Sequence, residues 1–201
     1  MKKLIFYILL IFFTLHANAQ VKENLKIPQN PKIGLSLSGG GAKGFAHVGV
    51  LKVLDSLGVK VDYISGTSMG AIVGGLYASG YTGKDIEKII LDTDFYNLIS
   101  NQNNRAESSF FNKSVDKYLL KVPIKNGKAT LPTSISSGQK NLYLLKELFK
   151  NVSNINDFSK LPIPFMCVAT NLETGKIKIF ENGDLSESIL ASSAFPSLMD
   201  P

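Results

Sequence analysis

Two short glycine-rich segments constrain this chain more than anything else in it. Gly39-Gly40-Gly41-Ala42-Lys43-Gly44 follows the apolar run Ile33-Gly34-Leu35-Ser36-Leu37. It precedes a stretch in which Val50, Leu51, Leu54 and Leu57 recur at helical spacing as far as Gly58. Gly66-Thr67-Ser68-Met69-Gly70 follows Val61-Asp62-Tyr63-Ile64-Ser65. After it Ile72, Val73, Leu76 and Tyr77 recur at helical spacing up to Gly80. A buried strand reads as a short apolar run and an amphipathic helix as a stripe of period 3.6. Two strand–turn–helix units in succession predict a parallel sheet, and the fold class is α/β.

The rest of the chain extends that pattern. Thr82 with Asp85 predicts a capping box for a helix through Leu91. Asn97 to Ser109 reads as a long loop. Lys140 to Lys150 is predicted helical, with Leu142, Leu145 and Phe149 on one face. Ile163 to Ala169 reads as a buried strand. Thr174-Gly175 turns it into Lys176–Phe180, whose alternation predicts a half-exposed strand paired antiparallel. Asp184 and Glu187 open a last helix that runs to Ala194.

Composition removes several function classes. With 201 residues, 44% apolar and 19% charged, the chain has the make-up of one globular domain rather than a disordered or collagen-like one. Cys167 is the single cysteine, so neither an internal disulfide nor a thiolate zinc cage is available. Two histidines do not make a His-rich metal site. No metal and no cofactor is expected. The net charge of +6 carries no basic stripe with interleaved aromatics, so no nucleic-acid partner is expected. An anionic membrane surface suits it better.

The first residues read as a targeting signal. Lys2 and Lys3 precede an apolar run from Leu4 to Leu15, then Ala17-Asn18-Ala19. A charged start, a short apolar core and small residues at the cut make a secretory signal peptide over residues 1–19. The run is shorter than the ~20 residues a membrane span needs. Residues 20–31 read as an extended arm, and 32–201 as the domain. Export to the periplasm, outer membrane or exterior follows as an expectation.

Gly66–Gly70 matches G-x-S-x-G between a predicted strand and a predicted helix, the context of a nucleophile elbow. Such a turn presents Ser68 at a helix N-terminus, where aligned peptide dipoles favour negative charge. The Met69 N–H is placed to hold an oxyanion. The blander reading makes Ser68 a helix cap in an ordinary turn. Gly39–Gly44 matches G-x-G-x-x-G and has two readings. As a dinucleotide loop it wants an acid at the end of the second strand, and Asp62 opens that strand instead. As an oxyanion hole it offers open N–H groups beside Ser68, because both turns end parallel strands at one sheet edge.

The base that would activate Ser68 is less legible. A hydrolase of the usual order runs Ser, acid, His. No histidine follows Ser68. His47 lies one turn past the glycine loop, where a packing or hydrogen-bonding role is the commoner one. A carboxylate or Lys43 remains.

Gly39-Gly-Gly-Ala-Lys-Gly-Phe-Ala-His-Val-Gly-Val-Leu followed by Gly66-Thr-Ser-Met-Gly-Ala resembles the patatin-like phospholipase family. The resemblance continues through Ala169-Thr-Asn-Leu-Glu-Thr-Gly and Ser192-Ser-Ala-Phe-Pro, from about Lys32 to the end. It implies a three-layer α/β/α sandwich with a mainly parallel central sheet. It also implies a Ser–Asp dyad, which fits the missing histidine. Ser68 is then the nucleophile within Gly66, Thr67 and Gly70. Gly39, Gly40, Gly41, Ala42, Lys43, Gly44 and Met69 are then the oxyanion hole, with Lys43 in the family's basic position. The substrate class implied is a phospholipid or lysophospholipid. The family's aspartate lies in an Asp-Gly motif, and this chain has no Asp-Gly dipeptide, with Asp200 in Met-Asp-Pro. The expectation is a fragment truncated before its catalytic base and inactive alone. A following outer-membrane β-barrel is a further expectation by resemblance. Cys167 is expected to be a core thiol, and Ser192 and Ser193 to be structural.

Overall fold

The computed structural model describes residues 31–95, 98, 124–125, 128–129 and 138–195. The predicted signal peptide, nearly all of the arm, the Asn97–Ser109 loop apart from Leu98, and Asp200 lie outside the described residues. From Lys32 onward the chain forms one unit.

Four strands make the main sheet: β1 (Gly34–Leu37), β2 (Tyr63–Thr67), β5 (Phe165–Thr170) and β6 (Ile177–Phe180), in the order β1-β2-β5-β6. The first three are parallel, and β6 returns antiparallel through the turn at Thr174-Gly175. Asn171 closes that turn by accepting the N–H groups of Glu173 and Thr174. A two-residue hairpin, β3 (Ile124–Lys125) with β4 (Lys128–Ala129), stands apart and was not foreseen. Among the described residues the α-helices are α1 (Ala46–Ser56), α2 (Met69–Ala78), α3 (Gly83–Asp92), α4 (Gln139–Leu148) and α5 (Leu185–Ser193).

Register explains the core. Leu35 pairs with Ile64 and Ile64 with Phe165; Leu37 pairs with Gly66 and Gly66 with Cys167. Paired residues share a face, so these form one apolar face of the sheet. Helix α2 lies on it, and α5 packs against both α2 and β5. Of the three layers expected, the described residues build the sheet and this helical layer. The α2 interior contains Gly74 and Gly75, which ordinarily weaken a helix. Here they admit close neighbours. A Cβ at Gly74 would stand 3.0 Å from Ile64 Cγ2, and one at Gly75 would stand 2.6 Å from Ile189 Cδ1. The central helix is thereby held between the sheet and α5.

The predicted caps form. Thr82 accepts the Asp85 N–H while Asp85 accepts the Thr82 N–H, a complete capping box. Asp184 accepts the Glu187 N–H at the start of α5. Helix α1 meets the expected stripe in part, with Leu51 in the core and Leu54 packed against it. Val48 and Leu51 are its buried residues, whereas Val50 is 50% and Leu57 70% exposed. Ahead of the helix, Gly41–Phe45 forms a 3-10 turn.

Candidate active site

Strand β2 ends at Thr67 and helix α2 begins at Met69, so the turn between them is Ser68 alone. Ser68 takes φ 54° and ψ −122° and is the one non-glycine residue with positive φ among the described residues. Such backbone costs about 1–3 kcal/mol and persists only where its surroundings over-determine it. The surroundings do so here. The Ser68 carbonyl accepts the N–H of Ala71 (2.9 Å) and of Ile72 (3.1 Å). The Ser68 N–H is donated to Ser192 Oγ at 2.9 Å.

The flanking glycines are required by space. A Cβ at Gly66 would lie 2.5 Å from the Gly70 carbonyl oxygen and 2.6 Å from Ala71 Cα. A Cβ at Gly70 would run into the Leu37 carbonyl. So the elbow is pressed against the end of β1, and the glycine loop that follows β1 is brought beside the serine. A Cβ at Gly39 would be 3.1 Å from Ser68 Cβ.

The loop residues foreseen as oxyanion donors divide into distinct roles. Gly40 and Gly41 hold φ 150° and 55° and line the same cavity as Ser68 and Met69. The N–H groups of Gly40, Gly41 and Met69 have no hydrogen-bond partner among the described residues. They are unengaged donors on residues that line one cavity with Ser68, and Met69 opens helix α2, whose N-terminus adds positive potential. Ala42 is exposed in the same turn. The Lys43 N–H is engaged by the Gly40 carbonyl at 3.2 Å, so it is closed to an oxyanion. Gly44 is buried beneath Met69, whose Cγ would lie 2.5 Å from a Cβ there. Gly44 is therefore a packing residue of the loop.

The candidate bases are placed as plainly. His47 donates Nε2–H to the Ser38 carbonyl at 2.9 Å, which anchors the strand end that leads into the glycine loop. Its role is the hydrogen-bonding one. Among the described residues no carboxylate or imidazole hydrogen-bonds the Ser68 hydroxyl. Cys167 lies beside Gly66 in the β2–β5 register, but its thiol is buried in the core, and burial pushes its pKa up to about 12. A thiol held neutral is no nucleophile. Asp62, the acid that a dinucleotide loop would need, accepts the Ile33 N–H at 2.8 Å. It precedes β2, at the opposite end of the strand from the elbow. A dinucleotide site is thus without its ribose partner.

Ser68 opens into a cavity of about 550 Å³ lined chiefly by Phe45, Ile72, Leu76, Ile90, Leu144 and Leu148, with Phe95 and Phe195 at its walls. That volume is in the range of small-molecule sites. Ile72 and Leu76 come from α2, Ile90 from α3, and Leu144 and Leu148 from α4. The sequence marked Ile72 and Leu76 only as a helical stripe and none of these residues as a cavity wall, although the apolar stripes of α3 and α4 were the signal for Ile90, Leu144 and Leu148.

The model of the family described as patatin-like phospholipase matches residues 35–201. The chain belongs to the patatin-like phospholipase family. An NTE family protein of Mycobacterium tuberculosis is 30% identical over 172 residues, 86% of this chain and 40% of that one. Lysophospholipase NTE1 of Lodderomyces elongisporus is 32% identical over 177 residues, 88% of this chain and 10% of that one. The chain thus spans well under half the length of these relatives. VipD from Legionella pneumophila shares the fold, with a TM-score of 0.52 and 19% identity over 85% of this chain and 43% of that one. The α/β architecture expected from the family motifs is the one observed.

Proposed function

We propose that the protein carrying this chain is a lipid acyl hydrolase of the phospholipase A or lysophospholipase type, with Ser68 as its nucleophile. The observation that carries this reading is the positive-φ Ser68 at a strand–helix junction, open to an apolar cavity that Gly40, Gly41 and Met69, with unengaged backbone N–H groups, also line. Family membership supports the same reading.

In this mechanism Ser68 Oγ attacks the acyl carbonyl of a phospholipid or lysophospholipid and passes its proton to a general base. The carbonyl oxygen becomes an oxyanion held by the N–H groups of Gly40, Gly41 and Met69. The tetrahedral intermediate expels the alcohol, which takes the proton back from the base. Water, deprotonated by the same base, then releases the fatty acid and frees Ser68. By likeness to the family the base is an aspartate, forming a dyad with Ser68. The apolar cavity holds the acyl chain. No metal or cofactor enters this chemistry. We further propose export by the signal peptide, with action at a membrane surface and an outer-membrane barrel following the domain. The N-terminus of the mature exported protein is then Gln20, which N-terminal sequencing reads directly.

The test of the hydrolase is a fluorophosphonate probe applied to the full-length protein, with the modified peptide located by mass spectrometry. Ser68 is expected to be labelled, and Ser68→Ala to lose both labelling and ester hydrolysis while keeping its circular dichroism. A folded protein that hydrolyses esters equally well as Ser68→Ala overturns the assignment.

A further inference from the structure

The serines of α5 behave differently from one another. Ser188 returns its hydroxyl to the Asp184 carbonyl at 2.8 Å, and Ser193 returns its own to the Leu190 carbonyl at 3.1 Å. Both bonds stay within the helix, which is the usual habit of a helical serine. Ser192 sends both of its bonds elsewhere. Its Oγ accepts the N–H of Ser68 at 2.9 Å and donates to the Val168 carbonyl at 2.6 Å.

Those two groups have a place in the sheet. Thr67 and Val168 are the last partners of the β2–β5 ladder. Beyond them Ser68 turns into its positive-φ conformation, and the Ser192 hydroxyl stands between the Ser68 N–H and the Val168 carbonyl. It bridges two backbone groups, one from each strand, just where the regular pairing ends. A chain N–H···O–H···O=C also polarises along its length, so each bond strengthens the other. Without the hydroxyl, a half-buried N–H and a carbonyl both lose their partner. The N–H concerned belongs to the one non-glycine residue with positive φ among the described residues.

We infer that Ser192 is a positioning residue that fixes the reacting geometry of Ser68 from outside the elbow. The inference rests on the reading of Ser68 as the nucleophile. It assigns Ser192 no contact with substrate and no proton of the reaction. Its effect is on the direction of the Ser68 Cα–Cβ bond relative to the donors at Gly40, Gly41 and Met69.

The full-length protein tests this as wild type, Ser68→Ala, Ser192→Ala and Ser192→Thr. The readouts are the rate of fluorophosphonate labelling at Ser68, kcat and KM for a simple ester, and amide exchange of the Ser68 N–H. In Ser192→Ala, labelling and kcat are expected to fall by tenfold to on the order of a hundredfold, as for a nucleophile misplaced by a fraction of an ångström to an ångström. KM is expected to stay within about a factor of two, because the cavity is untouched. Ser192→Thr retains a hydroxyl and is expected to recover most of the rate. A folded Ser192→Ala that labels and turns over as wild type does overturns the inference. So does Ser192→Thr failing to recover the rate while remaining folded. Amide exchange separates this inference from the one beneath it. In the wild type the Ser68 N–H is expected to exchange slowly and the Met69 N–H fast. If Ser68 proves unreactive in the wild type, the nucleophile reading fails by itself. A fast-exchanging Ser68 amide in the wild type overturns the Ser192 inference even if Ser192→Ala does not fold.

Discussion

At the scale of single residues, the site is governed by what does not fit. Gly70 has the Leu37 carbonyl where a Cβ would be, and that obstacle is backbone rather than a side chain that swings aside. Gly70→Ala is therefore expected to destabilise the protein by about 1–3 kcal/mol, the range for overpacking a closely fitted interior. Its chemical unfolding curve should shift to lower denaturant with the slope unchanged. Thr67→Ser is the control, since Thr67 is exposed. Cys167 supplies a second residue-scale expectation. Burial pushes its thiol up to about 12, so a thiol reagent at neutral pH should leave it unmodified until the protein unfolds. Ser68 was legible in the sequence because the whole elbow is five consecutive residues. Ser192 was legible only as structural. Its partner lies 124 positions away, and no local pattern records a bond of that span.

At the scale of elements, helices α3 and α4 decide what the cavity accepts. Ile89, Thr93, Leu144 and Leu148 line the Ser68 cavity on one side and a second recess of about 660 Å³ on the other. That recess carries Asp85, Lys88 and Asp92. The four residues form the partition between the apolar chamber and a recess that also carries charged side chains. Leu148→Ala thins the partition and lengthens the chamber. The ratio of kcat/KM for a long acyl ester over a short one should then rise, by roughly fourfold for each further methylene buried at about 0.8 kcal/mol. Helix α3 also gives a pH expectation. The Thr82 hydroxyl and N–H hold the Asp85 carboxyl below the ordinary value of 3.8, and Ser159 does the same for Asp157. A carboxyl lowered in the folded state stabilises it fully above that value and loses its contribution as pH falls through the folded pKa. Thermal midpoints are therefore expected to decline on the acid side below about pH 4, and less so in Thr82→Ala, which lacks the cap to begin with. The caps Thr82/Asp85 and Asp184/Glu187 were readable because each is a local pattern of two polar residues three apart; the Asp157–Ser159 pair was not foreseen. The buried face of α1 was legible in part: Leu51 and Leu54 face the core as the stripe predicts, whereas Val48 is buried and Val50 and Leu57 are exposed, because the helix meets α3 and the glycine turn on that side.

At the scale of the whole molecule, helices are tied to one another by few polar contacts with clear duties. Asp55 on α1 accepts the Tyr77 hydroxyl from α2 at 2.6 Å and the Gly83 N–H from α3 at 2.7 Å. Burial and this bond push the Tyr77 phenol up to about 12. Tyr77→Phe is expected to cost about 1–2 kcal/mol in global unfolding, the worth of a hydrogen bond to a charged acceptor. That β1, β2 and β5 run parallel was legible because strands alternate with helices along the chain; the order β1-β2-β5-β6 came from the structure. The 3-10 form of the glycine loop was not legible. It depends on the Gly40 carbonyl meeting the Lys43 N–H across a turn that composition marks only as glycine-rich. The positive φ of Ser68 has one more meaning, for the history of the chain rather than for its reaction. A glycine adopts that backbone readily, so Ser68→Gly should raise the melting temperature. A lineage that kept serine there accepted a less durable protein. A descendant released from its chemistry would drift toward the sturdier residue. Thermal shift of Ser68→Gly against Ser68→Ala separates that relief from mere loss of the hydroxyl: the glycine variant should melt higher.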